Sequence, residues 1–336
     1  MKAVELSGYE GLDGLRVVDV PKPNVAAHEC LIEVKATGIN FAELELTRGR
    51  YRIGKEPPFI MGFEAAGVVR EIGKTVKNLK IGDRVTTIVS SGGYAEYATA
   101  PAEMTIPIPE GVGFPEATTI PIQGLTAHLL LTQVAKVQAT ESVLIQAAAG
   151  GVGTYLVQLA KIAGVQRVIA LVGSEEKMPL VESLGADVVV DTSRGDWVDR
   201  VRAATDGRGV DLLLEAASGE FGKQSFRLLA PFGRMVVFGA RNVHDTFGPE
   251  QIQQLIYNNQ TITAFNIPSY KPEKVVASIG PLLSLIASGK LKLFASIQFT
   301  LHEVRQAFEA LASRKTVGKV VLIPSATEVC SASAGV

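Results

Sequence analysis

The stretch Val143–Lys161, VLIQAAAGGVGTYLVQLAK, decides how this 336-residue sequence is read. Branched apolar residues run into Gly150, Gly151 and Gly153, and a helix follows with Val152, Leu156, Leu159 and Ala163 on one face. The spacing is a variant of GxGxxG, with Ala148 in first position, Gly150 in second and Gly153 in third. In such a loop the second glycine lets backbone approach a pyrophosphate and the third permits close packing of the helix. The free N–H groups at the helix start then face the negative charge. A bare glycine motif is weak evidence, but a strand before it and a helix after it supply the context that phosphate binding requires. Ala149, Gly150, Gly151, Val152 and Gly153 are therefore candidate cofactor contacts.

Downstream the same texture repeats. RVIALVG (167–173), DVVVD (187–191), GVDLLLEA (209–216) and RMVVFGA (234–240) alternate with helical stretches, which predicts a parallel sheet buried on both faces. Upstream, residues 1 to about 110 read as short alternating strands broken by Gly and Pro, a compact and mostly antiparallel β unit. After TITAF (261–265) come a helix near 272–288, the segment ASIQFTL and a helix near 304–313. The chain then reads GKVVLIP, and this tail is expected to return to the first unit. Residues 325–336 are small and polar and are expected to fray.

The composition is globular, with 47% apolar and 20% charged residues. Lys plus Arg is 33 against 34 Asp plus Glu, so no general field exists to hold a polyanion, and nucleic acid is not expected as a partner. The two cysteines, Cys30 and Cys330, exclude a disulfide framework, and the four histidines show no metal-ligand spacing. No signal-length apolar run occurs near the N-terminus and none of membrane length elsewhere, so the expectation is a cytoplasmic protein with no membrane partner.

A site for NAD normally carries an acidic residue at the end of the second strand. Here Gly173 and Ser174 occupy that tip and Lys177 follows, within reach of a 2′-phosphate. The reading favours NADPH, while Glu175 remains a candidate for binding ribose hydroxyls.

Seven blocks in order then carry a resemblance that covers nearly the whole chain: GINF (38–41), GFEAAGVV (62–69), GDRV (82–85), GGYAEY (92–97), QGLTA (123–127), AAAGGVG (147–153) and GKVVL (318–322). The sequence resembles the medium-chain dehydrogenase/reductase superfamily, and within it the zinc-free quinone oxidoreductase group that includes zeta-crystallin and enoyl reductases. The resemblance implies an α/β fold, a doubly wound parallel-sheet Rossmann domain at 125–267. It also implies a mostly β GroES-like catalytic domain at 1–124 and 268–336. Where the superfamily's zinc enzymes place Cys and His ligands this chain has Asn40 and Phe63, and no metal is expected. Departures from the group's NFxDxxxRxGxY pattern are Glu43 for Asp and Thr47 for Arg, with Arg48 one place later. Thr192 stands where a tyrosine is common in NADPH-specific members.

Hydride addition to an enone or quinone leaves a delocalised anion that a hydrogen bond can stabilise without a metal. The matched positions offer Asn40, as a donor to an oxyanion or a cofactor ribose, and Tyr51, which resembles the acid-donating tyrosine of zinc-free enoyl reductases. Gln123 and Thr126 are expected at the nicotinamide, Phe238 and Gly239 at the end of the fifth strand, and Lys319 near the cofactor phosphates. The expectation is an NADPH-dependent reductase of a small-molecule conjugated carbonyl or quinone. Specificity is expected in the loops 50–59 and 242–249. An enoyl thioester reductase and a non-catalytic, crystallin-like NADPH-binding protein are the alternatives. TITAF reads as an edge strand, which the resembled group commonly pairs across a two-fold axis, so a homodimer is expected.

Overall fold

The computed structural model describes residues 1–239 and 247–324, so loop positions 242–246, His244, Cys330 and the tail from 325 lie outside the described residues. The chain forms two compact units, residues 1–122 with the chain from 293 onward, and residues 123–292.

The first unit opens with β1 (Lys2–Leu6), β2 (Leu15–Asp19) and the long β3 (Glu29–Ile39). Asn40 then starts the short helix α1 (Phe41–Thr47), where the side chain of Glu43, three residues on, accepts from the Asn40 N–H at 2.8 Å. Next come β4 (Phe59–Ile60), β5 (Glu64–Ile72), β6 (Arg84–Ile88), β7 (Tyr97–Pro101), β8 (Thr105–Pro107) and the one-turn helix α2 (Phe114–Ala117).

The second unit begins with Gln123, within a wide-turn helical segment (Ile120–Gly124) that continues into α3 (Leu125–Leu129). Five strand–helix pairs follow: β9 (Ser142–Ile145) with α4 (Gly151–Ile162), β10 (Arg167–Val172) with α5 (Met178–Ser183), and β11 (Val188–Asp191) with α6 (Trp197–Ala203). The fourth and fifth are β12 (Val210–Glu215) with α7 (Gly219–Phe226), and β13 (Leu229–Val237) with α8 (Pro249–Asn258). β14 (Thr261–Ala264) and α9 (Pro272–Ala287) complete it. The strands lie in the order β11-β10-β9-β12-β13-β14, every pair parallel. Branched residues such as Val143, Leu144, Ile145 and Leu213 have no exposed surface, as expected of strands covered on both faces. The strand order reverses between β9 and β12, which makes their carboxyl ends the place where an open α/β sheet binds ligand.

The first unit is completed by β15 (Ala295–Thr300), α10 (Val304–Ala312) and β16 (Lys319–Ile323). β16 pairs parallel with β15 and antiparallel with β3, closing a seven-stranded sheet beside the small sheet β2-β1-β4. Its apolar core gathers Leu6, Ile39, Leu44, Met61, Tyr94, Phe308 and Leu322. The expected return of the tail needs one correction. Residues 268–292 belong to the second unit, because the apolar face of α9 (Val275, Ile279, Leu282, Ile286) is buried and the helix packs against α3. An amphipathic stripe follows the nearest uncovered apolar surface, which its periodicity alone does not identify. Among the described residues no helix is long and apolar enough to cross a membrane.

Candidate functional site

In the second unit the glycine loop lies between β9 and α4. Ala147 takes a left-handed conformation (φ 49°) and its carbonyl accepts from the Gly150 N–H at 2.9 Å, turning the chain sharply out of the strand. A methyl group at Gly153 would overlap the backbone of Ala147 and Ala148, so this glycine sets how closely the helix sits on the strand. Gly150, the residue before α4, has no side-chain cap to offer the first N–H groups, and a side chain there would meet only the Ala147 carbonyl. The loop therefore presents a helix start without a side-chain cap, its N–H groups left for a ligand, which fits a pyrophosphate. Gln123 lies directly against Gly151; it is 8% exposed, and its Oε1 has no hydrogen-bond partner. Thr126 is buried one turn further along, and Ala149 is buried within the loop.

At the end of β10, Gly173 is open on all sides and Ser174 is the extended residue before the turn that carries Lys177. Burial draws the Lys177 ammonium below the usual lysine range, with Glu176 acting against it. The Glu175 carboxylate accepts from Arg194 at 2.7 Å in an ion pair exposed to solvent. Thr192 turns its hydroxyl onto the Val172 carbonyl (3.0 Å). Phe238 is 7% exposed and donates its N–H to the Glu215 carbonyl at 3.0 Å, while Gly239 (φ 87°) is open. A polar frame that sequence reasoning missed holds the switch point. Gln146 Oε1 accepts from the N–H groups of Ala216 and Ala217 (2.9 and 3.0 Å), and its Nε2 donates to Ser225 Oγ at 2.8 Å.

In the first unit, Asn40 is the hub of a buried charged cluster. Its Nδ2 donates to Glu43 Oε2 (3.2 Å) and Glu64 Oε1 (3.3 Å), and its Oδ1 accepts from Lys319 Nζ (2.7 Å). Lys319 also forms an ion pair with Glu64, and neither side chain has exposed surface. A methyl group at Gly38 would collide with both, which explains a glycine at this point of β3. Two expectations are corrected here. Lys319 is fully buried with its ammonium bound to Glu64 and Asn40, so it is a structural cation and not a phosphate contact. Asn40 spends both amide hydrogens on carboxylates, so it has no hydrogen to give an oxyanion; what it retains is one acceptor lone pair on Oδ1.

Glu43 was legible only as a departure from a family pattern, although its spacing from Asn40 is that of a capping box. Burial and then the Glu64 charge push its carboxyl up to about 7, against the hydrogen bond from the Asn40 N–H and the Lys319 charge. Its Oε1 accepts from the Phe63 N–H at 2.9 Å. The Tyr94 hydroxyl is within electrostatic reach of Glu43 but makes no well-formed hydrogen bond, and burial raises it well above its ordinary value. Between the ordinary value of 4.5 and about 7 the folded chain binds one proton more than the unfolded chain at Glu43. Its contribution to stability is therefore complete below 4.5 and is lost as pH rises through 7. The span corresponds to about 3 kcal/mol. Urea unfolding at pH 5 and pH 8 should show this loss in the native protein and lack it in Glu43→Gln; equal slopes would refute it.

Tyr51 packs its ring 6.1 Å from Phe63, and burial, then the Glu43 charge, raises its phenol above the ordinary value. A zinc ion does not fit this unit. Phe63 has no donor atom, and the Lys319 ammonium occupies the space between Asn40 and Glu64.

The chain matches the family model "Zinc-binding dehydrogenase" over residues 151–282 and the model "Alcohol dehydrogenase GroES-like domain" over residues 26–110. It is 31% identical to a quinone oxidoreductase of Pseudomonas aeruginosa, covering 96% of this chain and 99% of that protein. Among solved structures it is similar to Escherichia coli quinone oxidoreductase complexed with NADPH, with a TM-score of 0.89, 30% identity and coverage of 96% and 100%. It is also similar to the CurK enoyl reductase, with a TM-score of 0.85, 30% identity and coverage of 96% and 98%. Against a highly reducing polyketide synthase of Aureobasidium melanogenum the identity is 33%, but the chain spans only 14% of that protein's length.

Proposed function

The chain belongs to the medium-chain dehydrogenase/reductase superfamily, in its zinc-free quinone oxidoreductase group, and from that premise we propose that it transfers hydride from NADPH to a quinone or an α,β-unsaturated carbonyl. The observation that carries this reading is the glycine loop, with only the Ala147 carbonyl facing Gly150 and an uncapped helix start at a sheet's switch point. NADPH, when bound, supplies the hydride. The α4 N–H groups would hold the pyrophosphate, and Gln123 Oε1 would accept from a ligand N–H or hydroxyl. Tyr51 would donate its proton to the oxygen on which charge develops. The phenol carries its proton at neutral pH even at the ordinary tyrosine value, and burial and the Glu43 charge, which raise it further, make it a weaker donor than a free tyrosine. NADPH oxidation measured with and without menadione and methyl vinyl ketone tests the proposal, and no oxidation with any acceptor would leave only a cofactor-binding protein. The similarity to an enoyl reductase supports a second reading, an enoyl thioester as acceptor, which an acyl thioester in the same assay distinguishes.

The cofactor phosphate gives a separate expectation. With Gly173 and Ser174 at the strand tip and Lys177 in the turn that follows, NADPH should bind more tightly than NADH. Lys177→Ala should weaken NADPH by about 1.5 to 3 kcal/mol, the range for a charge-assisted hydrogen bond. Nicotinamide fluorescence titration decides it, and an unchanged NADPH affinity would overturn it.

We also propose a homodimer joined through β14. This strand ends the six-stranded sheet, and the neighbouring α8 leaves Ile252, Ile256 and Tyr257 exposed. An open edge beside apolar side chains is a hazard unless covered. Light scattering at micromolar concentration should give twice the chain mass, and a monomer mass would count against it.

A further inference from the structure

We propose that Arg50 and Glu45 act as positioning residues for Tyr51, through a two-pronged ion pair that fixes the turn from which the tyrosine emerges. The inference rests on the reading of Tyr51 as proton donor. It begins from the departure at Thr47, where the group's pattern has arginine. Thr47 is fully buried and its hydroxyl donates to the Leu44 carbonyl at 2.8 Å, so this position holds no cation. The cations stand further along. Arg50 Nε donates to Glu45 Oε2 at 2.6 Å and its NH2 donates to Oε1 at 3.0 Å, a paired geometry that a guanidinium alone provides. Arg48 adds a third hydrogen bond to Oε1 at 3.1 Å.

The same residue holds the backbone. The Glu45 carbonyl accepts from the N–H groups of Arg50 (2.9 Å) and Tyr51 (3.3 Å), with Gly49 at φ 68° reversing the chain just before them. Glu45 is 5% exposed and sits on α1, the helix that begins at Asn40. Side chain and main chain of one buried residue thus clamp residues 48–51 from two directions. A turn held by the Glu45 carbonyl alone would fix residues 48–51 less firmly, and proton donation does not tolerate a shift of an ångström in the group that follows.

The test is a double-mutant cycle in the full-length protein, with NADPH and methyl vinyl ketone as the acceptor. Arg50→Ala should lower kcat roughly 10- to 100-fold with a smaller change in KM and no change in NADPH affinity by fluorescence. Arg50→Lys, which retains charge but not the fork, should recover part of that loss. In a Tyr51→Phe background, Arg50→Ala should have no further effect, because the group it positions is gone. Equal losses from Arg50→Ala with and without the Tyr51 hydroxyl would overturn the proposal, as would full activity of Arg50→Ala beside an impaired Tyr51→Phe. In both outcomes the acid reading of Tyr51 stands. A fully active Tyr51→Phe would overturn both.

Discussion

Tyr51→Phe should lower turnover on methyl vinyl ketone by roughly 10²- to 10⁴-fold, the range for a positioned acid, while NADPH affinity remains unchanged. The size follows from the chemistry of the product anion. An enolate must be protonated, and with both Asn40 hydrogens committed to Glu43 and Glu64 that amide is not a substitute donor. Menadione should suffer much less, because its reduced oxygens are well stabilised and take protons from water. Stopped-flow kinetics with both acceptors provide the comparison. Equal losses on the two classes, or none on either, would reduce Tyr51 to a ring packed on Phe63.

Lys319→Met should destabilise the protein by about 3–5 kcal/mol, the cost of leaving one member of a buried ion pair uncompensated. Glu64 would lose its cation and Asn40 Oδ1 its donor in one step, at a point with no access to water. Adding Glu64→Leu should return much of the loss, since the double variant buries no unpaired charge. Urea unfolding measures both. A single-variant loss under about 1 kcal/mol would mean that Glu64 is protonated in the folded protein and that the pair carries no charge.

How far the sequence could be read depended on the separation of the partners. The alternation of strand and helix from Val143 onward is local, and the glycine loop is contained in a few residues, so both were legible. The same locality hid the assignment of α9, whose periodicity predicts a helix but not which face of which unit it covers. The charged cluster was illegible because Lys319 and Asn40 are 279 residues apart in sequence. A lysine at the first position of β16 looks like a surface residue until that strand is placed beside β3. Asn40 was misread for a related reason. An asparagine is a donor and an acceptor on paper, and only its neighbours decide which end remains. The left-handed Ala147 gave no signal, since alanine is not a residue that announces a turn.

The pairing of β16 with β3 also sets an order of events during synthesis. Val320 and Val321 lie opposite Ile39 and Gly38, so the sheet of the first unit cannot close until residues 319–323 have been made. The second unit is contiguous in sequence, so all of its residues are present once residue 292 has been made. Until residues 319–323 are made, Glu64 has no Lys319 to pair with and β3 lacks the neighbour that β16 supplies. Vectorial translation thus makes β16 both the strand that closes this sheet and the delivery of the neutralising cation. Truncations a few residues short of Lys319 should remain bound to chaperones, even though every residue of the glycine loop has long been made.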